Sequence, residues 1–556
     1  IGYSYDGNLL TQTAWAGTVS GTVARTYNND FRTTAQSING GNTVAFNYDP
    51  DGLLTQAGAL TISRDAQSGF VSGSALGSVT DAWSYNSFGE PLTHSASFSA
   101  TNLFAVQHTR DKLGRLTQKV ETIRGTAATF DYNYDLAGRL TEVKINNVTA
   151  ATYSYDTNSN RLTGPGLVTP PTYDAQDRLL QYGTTAYTYT ANGELLTKTA
   201  AGQLTSYQYD ALGNLLAVNL PGAIQIDYVI DARSRRIGKK VNGTLVQGFL
   251  YGDQLKPVAQ LDGSNYVVSR FVYGVRGDVP EYLVKSGVTY RIVSDHLGSP
   301  RLIVDVATGA IAQRMDYDEF GKVVLDTNPG FQPFGFAGGI YDTHTNLVRF
   351  GARDYDAETG RWLARDPILF AGGDTNLYGY VLNDPINTTD RVGLWNEDDG
   401  LRLLRLNRCS MVGDCVQLYA CSDRLHCAQS LTAKEEEEFA ELYTRWLDRP
   451  LSPDPKLRPD AIGSYDVEDK IDPFVDPLLG PAPAKKPEEA AKKDDAGAAC
   501  DDKPGKPPCI DCVEMVKKNG RITGPCQIWP PCSSSERNSM AVAAASKFDL
   551  LQNPSA

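Results

Sequence analysis

Two aspartates, Asp366 in "RWLARDPILF" and Asp390 in "TTDRVGLW", have the residue type and the setting for acid–base chemistry on a peptide bond. They stand 24 positions apart. The segment between them, "AGGDTNLYGYVLNDPIN", carries a double glycine and an Asn-Asp-Pro. Both are turn formers, so the chain can fold back and let the carboxylates meet. Two carboxylates in one site cannot both ionise cheaply. One keeps its proton, and the pair then offers a general acid and a general base. Such a pair needs no metal, serine or cysteine. Asp-Pro is also a common turn, so a purely structural role for both aspartates is the competing reading. Asp384 of "NDP" is read as a turn residue and as a substitute partner.

The elements that must position this pair are repeats. A Tyr-Asp recurs, followed by a turn and an Arg/Asn-Leu pair: "YDPDGLLTQ" from Tyr48, "YDLAGRLTEV" from Tyr134, "YDALGNLLAV" from Tyr209 and "YDEFGKVVLD" from Tyr317. The alternating, aromatic-rich run before each copy suits a half-buried strand. The Asp side chain bonds backbone N–H groups ahead of it, and Gly supplies positive φ, which closes a tight turn. Each copy is thus a β-hairpin that cannot bury its apolar face alone. The predicted fold is mainly β, with hairpins stacked into a spiralling sheet and few helix signals before residue 390.

These repeats resemble the RHS/YD-repeat family, which includes bacterial polymorphic toxins, the C component of insecticidal toxin complexes and part of teneurins. "SDHLGSPRLIVD" (residues 294–305), "PFGFAGGIYD" (333–342) and "LVRFGARDYDAETGRWLARDP" (347–367) are similar to the RHS-associated core. The resemblance implies a hollow β-shell holding a variable C-terminal toxin. It also implies self-cleavage at a D-P-x-G…D-P-x-G-L motif. Carried over, Asp366 and Asp390 are the catalytic pair and the scissile bond joins Leu394 to Trp395. Arg365 is then a positioning or pKa-setting group, and Gly393 lets the backbone approach the carboxylates. Two positions depart from the motif: Leu369 replaces its first Gly and Arg391 its second Pro. Arg391 could pair with both carboxylates and hold them ionised.

Composition changes at the same place. All nine cysteines and the run of four glutamates lie after residue 394. The expected organisation is a repeat wall at 1–289, a core with the protease motif at 290–394, and a cargo. The cargo divides into a Cys-containing helical part (395–448), a Pro- and charge-rich, partly disordered linker (449–508) and a Cys-rich end (509–556). Three readings of the cysteines stay open: disulfides, free thiols, or a zinc site from Cys509, Cys512, Cys526 and Cys532. His426 beside Asp423 could serve a nuclease or acyl-transfer site, against a structural role. The cargo's activity is not legible.

The net charge is −13, and both halves are acidic. That disfavours a nucleic-acid-coating surface on the shell. No run is long and apolar enough to span a membrane. The first residues carry no signal-peptide pattern and begin inside a repeat, so a piece of a longer, secreted or delivered chain is expected. No cofactor is expected. The expected partners are the chain's own C-terminal segment, secretion-system components and an immunity protein. The alternative is a YD-repeat surface adhesin without self-cleavage, or a shell inactive in cleavage.

Overall fold

The computed structural model describes residues 1–276 and 279–394. The expectations for Trp395, Asp423, His426, the cysteines and the three cargo segments lie outside the described residues.

The described chain is a run of antiparallel strands, each paired with its sequence neighbours. The first sheet has fifteen strands, from β1 (Gly2–Asp6) to β15 (Val148–Thr152). The second has sixteen, from β16 (Thr172–Tyr173) to β31 (Val323–Asp326). A four-stranded sheet follows: β32 (Ile340–Asp342), β33 (Leu347–Phe350), β34 (Arg353–Asp356) and β35 (Arg361–Trp362). Helical structure among the described residues is limited to three short 3-10 turns. The first two sheets part at "TGPGLVTPPT", where three prolines remove ladder donors. The expected boundary at 289/290 falls inside β28 (Val288–Ser294), a strand of the continuous second sheet.

The repeat is a stitched unit. Asp210 Oδ1 accepts the N–H groups of Leu212 and Asn214, both at 2.9 Å. Where the turn ends in Arg, as at Asp135, the second carboxylate oxygen accepts Arg139 Nε at 2.7 Å. The tyrosine reaches back to the preceding hairpin: Tyr134 Oη donates to the Leu116 carbonyl at 2.7 Å, and Tyr155 Oη to Leu140 at 2.7 Å. The turn arginine then lies over the next tyrosine, Arg115 over Tyr134 and Arg139 over Tyr155. Each bond is worth about 1 kcal/mol net, and the gain repeats along the sheet. The strand register also slips by a residue at the repeat tyrosine, as at Asn133/Tyr134, Gln208/Tyr209 and Leu250/Tyr251. Such bulges bend and twist a strand, which curls the sheet into its shell-type form.

The sheets share one interior. Trp15, Val23 and Ile38 of the first pack with Phe249, Leu250 and Leu261 of the second. Charges also cross between the sheets: Arg291 pairs with Asp81 at 2.8 Å and Arg301 with Glu121 at 2.7 Å, and Glu281 of the second sheet's own span adds a pair to Arg291 at 2.8 Å. The four-stranded sheet has its own aromatic core of Phe336, Phe350, Tyr355, Trp362 and Tyr380. It and the loop after it dock on neighbouring turns: Arg361 bonds Asn160, in the segment between the two large sheets, and Tyr378 donates to the Gly193 carbonyl, in a turn of the second.

Candidate active site

Residues 366–394 fold back over the four-stranded sheet. Three anchors fix the returning loop. Asn387 Oδ1 accepts the Leu116 N–H at 2.7 Å, and its amide donates to Tyr134 Oη at 3.0 Å. His296 Nε2 bonds the Ile386 carbonyl at 2.7 Å. The Ala352 N–H donates to the Val392 carbonyl at 2.9 Å, laying the last described residues across the β33–β34 turn. That approach demands glycine. Gly393 has φ +69°, and a Cβ there would stand 2.4 Å from the Phe350 carbonyl oxygen.

This return brings Asp366 and Asp390 together around one guanidinium. Arg353, on β34, places Nη2 2.8 Å from Asp366 Oδ2 and 3.2 Å from Asp390 Oδ2. Its Nε donates to the Gly393 carbonyl, and its plane lies over Trp362 at 4.2 Å. All three charged groups are buried. One cation against two anions leaves excess negative charge in a poorly solvated place. Burial is the main cause that pushes the Asp366 carboxyl up to about 6; Arg353 and the Ile368 N–H hold it down, while Asp390 and Asp374 push it further. Burial lowers the Arg353 guanidinium, and Asp366 and Asp390 oppose that shift. A guanidinium remains charged throughout the physiological range.

Asp390 also shapes the chain end. Its Oδ1 accepts the N–H of Gly393 at 2.8 Å and of Leu394 at 3.3 Å. Gly372 marks where that end meets Asp366. A Cβ there would stand 2.8 Å from Asp366 Oδ2 and 2.9 Å from the Leu394 carbonyl oxygen. The two oxygens therefore face the same small volume. A cavity of about 30 Å³ opens beside it, lined by Arg353, Asp366, Asp374 and Asp390 among others. That is room for one water.

Arg365, expected to position the pair, does not face it. Its side chain is exposed and lies beside Gly193 and Tyr378. In an extended segment adjacent side chains point to opposite sides, so the neighbour of a buried Asp points out. The cation that stands between the two aspartates is Arg353. Arg391 is exposed as well. Asp384 accepts from Asn387 at 2.7 Å, on the Tyr134 side of the loop. Asp374, which sequence reading passed over as part of a turn, lines the cavity.

The chain matches the Teneurin YD-shell family model over residues 1–386 and belongs to that family of RHS/YD shells. It is 32% identical to human teneurin-4 over 305 residues, 52% of this chain and 11% of that protein. It is 29% identical over 261 residues to the tRNA3(Ser)-specific nuclease WapA of Bacillus spizizenii, 44% of this chain and 11% of that protein. The chain thus spans about a tenth of the length of the curated relatives it matches. Among solved structures, the Photorhabdus luminescens Tc holotoxin pore aligns with TM-score 0.46 and 16% identity, over 68% of this chain and 21% of that one. The TcdB2-TccC3 complex aligns with TM-score 0.45, 16% identity and coverage of 70% and 22%.

Proposed function

We propose that this chain is the shell and self-cleaving core of a delivered toxin, and that it cuts its own backbone after Leu394. The observation that carries this reading is the meeting of the Leu394 carbonyl oxygen and Asp366 Oδ2 at Gly372, with Arg353 bridging Asp366 to Asp390.

In this mechanism Asp366 is the general acid. Its raised carboxyl keeps a proton at mildly acidic pH and gives it to the Leu394 carbonyl oxygen. Asp390 is the general base. It takes a proton from a water in the cavity, and the water oxygen attacks the Leu394 carbonyl carbon. Collapse of the tetrahedral species breaks the C–N bond. The proton held by Asp390 passes to the leaving nitrogen of Trp395, and Asp366 recovers its own from the collapsing diol. The products are a Leu394 carboxyl terminus and a Trp395 amine, with one water consumed. Arg353 keeps both carboxylates in place and polarises the Gly393 carbonyl next to the reacting bond.

The released piece, residues 395–556, is the cargo in this reading, held by the shell until it acts on a target. The WapA relative, named for a tRNA nuclease, supports a secreted or delivered role. A purely adhesive shell would have no use for Asp366 Oδ2 and the Leu394 carbonyl oxygen crowding the same point beside Gly372. The test is processing in the Asp366→Asn and Asp390→Asn chains, with Asp384→Asn as control. The first two are expected to stay whole and the third to be cut. Cleavage that persists in the first two would overturn the assignment.

A further inference from the structure

Arg235, Arg236, Arg291, Arg301, Arg349 and Arg353 each face a carboxylate with the side chain less than a tenth exposed. Among the described residues, Lys239 is the lysine so placed. Its side chain and that of Asp342 are 9% and 5% exposed, with Nζ 2.5 Å from Oδ1. The difference from the arginines is chemical. A guanidinium stays protonated and inert, whereas a lysine amine becomes a nucleophile once it gives up a proton.

The groups around this lysine fit such a reaction. In β22 (Ile224–Ile230) and β23 (Arg236–Val241), Tyr228 stands directly opposite Lys239, and Asp342 ends β32 of the four-stranded sheet. Lys239 Nζ lies 2.9 Å from His344 Nδ1; an ammonium only donates, so Nδ1 accepts. Asp342 Oδ1 also accepts the His344 N–H at 2.8 Å, and its Oδ2 accepts Tyr228 Oη at 2.8 Å. Burial works against the charge on Asp342, yet Lys239, the His344 N–H and Tyr228 together hold its carboxyl below the ordinary value. Burial pushes the Tyr228 hydroxyl well up, so it stays a donor. The Arg236 guanidinium lies 3.5 Å over the Tyr228 ring and also attracts Asp342, which favours negative charge building on Oδ2. The side chain of His344 is 42% exposed, so a proton taken from Lys239 has an exit to water.

We propose that Lys239 and Asp342 condense into an isopeptide bond that staples the second large sheet to the four-stranded one. The Nζ–Cγ bond forms and the Cγ–Oδ1 bond breaks. His344 Nδ1 takes one ammonium proton, which frees the Nζ lone pair to attack Cγ. Tyr228 supports the charge that gathers on Oδ2 in the tetrahedral species. Two of the three ammonium hydrogens leave with Oδ1 as water, one of them by way of His344. Ammonium and carboxylate thus become amide and water, with no co-reactant. The fold supplies the drive by holding both groups in contact away from solvent. The bond spans 103 positions and fixes β32, and with it β33 and the Arg353-bearing β34, against the wall. It is independent of cleavage after Leu394, because both residues lie on the same side of that bond.

Intact mass in denaturant tests the bond on the whole chain, or on the piece ending at Leu394 if the chain cuts itself, since both carry the two residues. The parent should weigh one water less than its sequence, and digestion should release a branched peptide joining the Lys239 and Asp342 segments. Lys239→Arg keeps the ion pair and should show the full mass, with a lower melting temperature because the cross-link is gone. In pulse-labelled chains, His344→Ala and Tyr228→Phe should each slow the loss of water by about a hundredfold. A parent of full mass that yields only linear peptides would overturn the bond, and this result does not depend on how any variant folds. So would a missing water that persists in Lys239→Arg or maps to a linear peptide, the mark of a succinimide at a single aspartate. Parent-like speed in both slowed variants would overturn the roles given to His344 and Tyr228.

Discussion

Asp366 Oδ2 and the Leu394 carbonyl oxygen approach the same point, the vacant Cβ position of Gly372, from 2.8 and 2.9 Å. Both oxygens thereby crowd the one face of Gly372 that a side chain would occupy. Gly372→Ala should separate them by inserting a methyl group. Cleavage should fall at least a hundredfold, while the fold survives, since Leu369–Gly372 is a 3-10 turn outside the sheets. Intact mass gives the first result and thermal unfolding the second.

Arg353 is the hub of the site. Arg353→Met should abolish cleavage and cost about 3–5 kcal/mol, because two buried carboxylates lose the cation that bridges them. Arg353→Lys keeps the charge. It cannot contact both aspartates and the Gly393 carbonyl at once, so it should fold better than the Met variant and still cleave poorly. Denaturant unfolding and intact mass separate the two effects.

The protonation of Asp366 makes a pH prediction. Its carboxyl is raised to about 6 in the fold from an ordinary value of 3.8. The folded state therefore binds more protons between those values, and stability falls as pH rises through that window. The penalty is complete above about pH 6 and absent below the ordinary value. In a Trp395→Pro background, where the bond is expected to stay whole, Asp366→Asn should stabilise the chain near neutral pH by up to about 3 kcal/mol. The gain should vanish in acid. A difference that is constant from acid to neutral pH would contradict the raised carboxyl.

Asn387 ties the returning loop to the first large sheet. Asn387→Ala leaves the Leu116 N–H, buried in the wall, without its acceptor, and should cost about 1–3 kcal/mol. Cleavage should slow with it, because Asp390 rides on the same loop. Hydrogen exchange at Leu116 would report the loosened contact directly.

The hairpins were legible because their signals are local. Each Tyr-Asp carries its own alternation, turn acid and glycine, so periodicity alone locates the strands. What the tyrosine hydroxyl and turn arginine do was hidden, since both act on the neighbouring hairpin and not on their own. The aspartate pair was visible because one loop carries both members. Arg353 was not. It lies in "LVRFGARDYD", which reads as another repeat, and its role depends on which face of β34 it occupies. Its signal is a charge among Phe350, Tyr355 and Trp362, an apolar setting in which a cation needs a reason. Arg365 misled for the converse reason: adjacency in an extended chain puts it on the opposite side.

The most direct measurement is the intact mass of the freshly purified chain beside its Asp366→Asn and Asp390→Asn forms, all kept in denaturant after lysis. Two fragments from the parent, one ending at Leu394 and the other beginning at Trp395, with a single whole chain from each variant, is the expected result. A parent that stays whole, or variants cut at the same bond as the parent, would contradict the aspartate pair as the agent of self-cleavage.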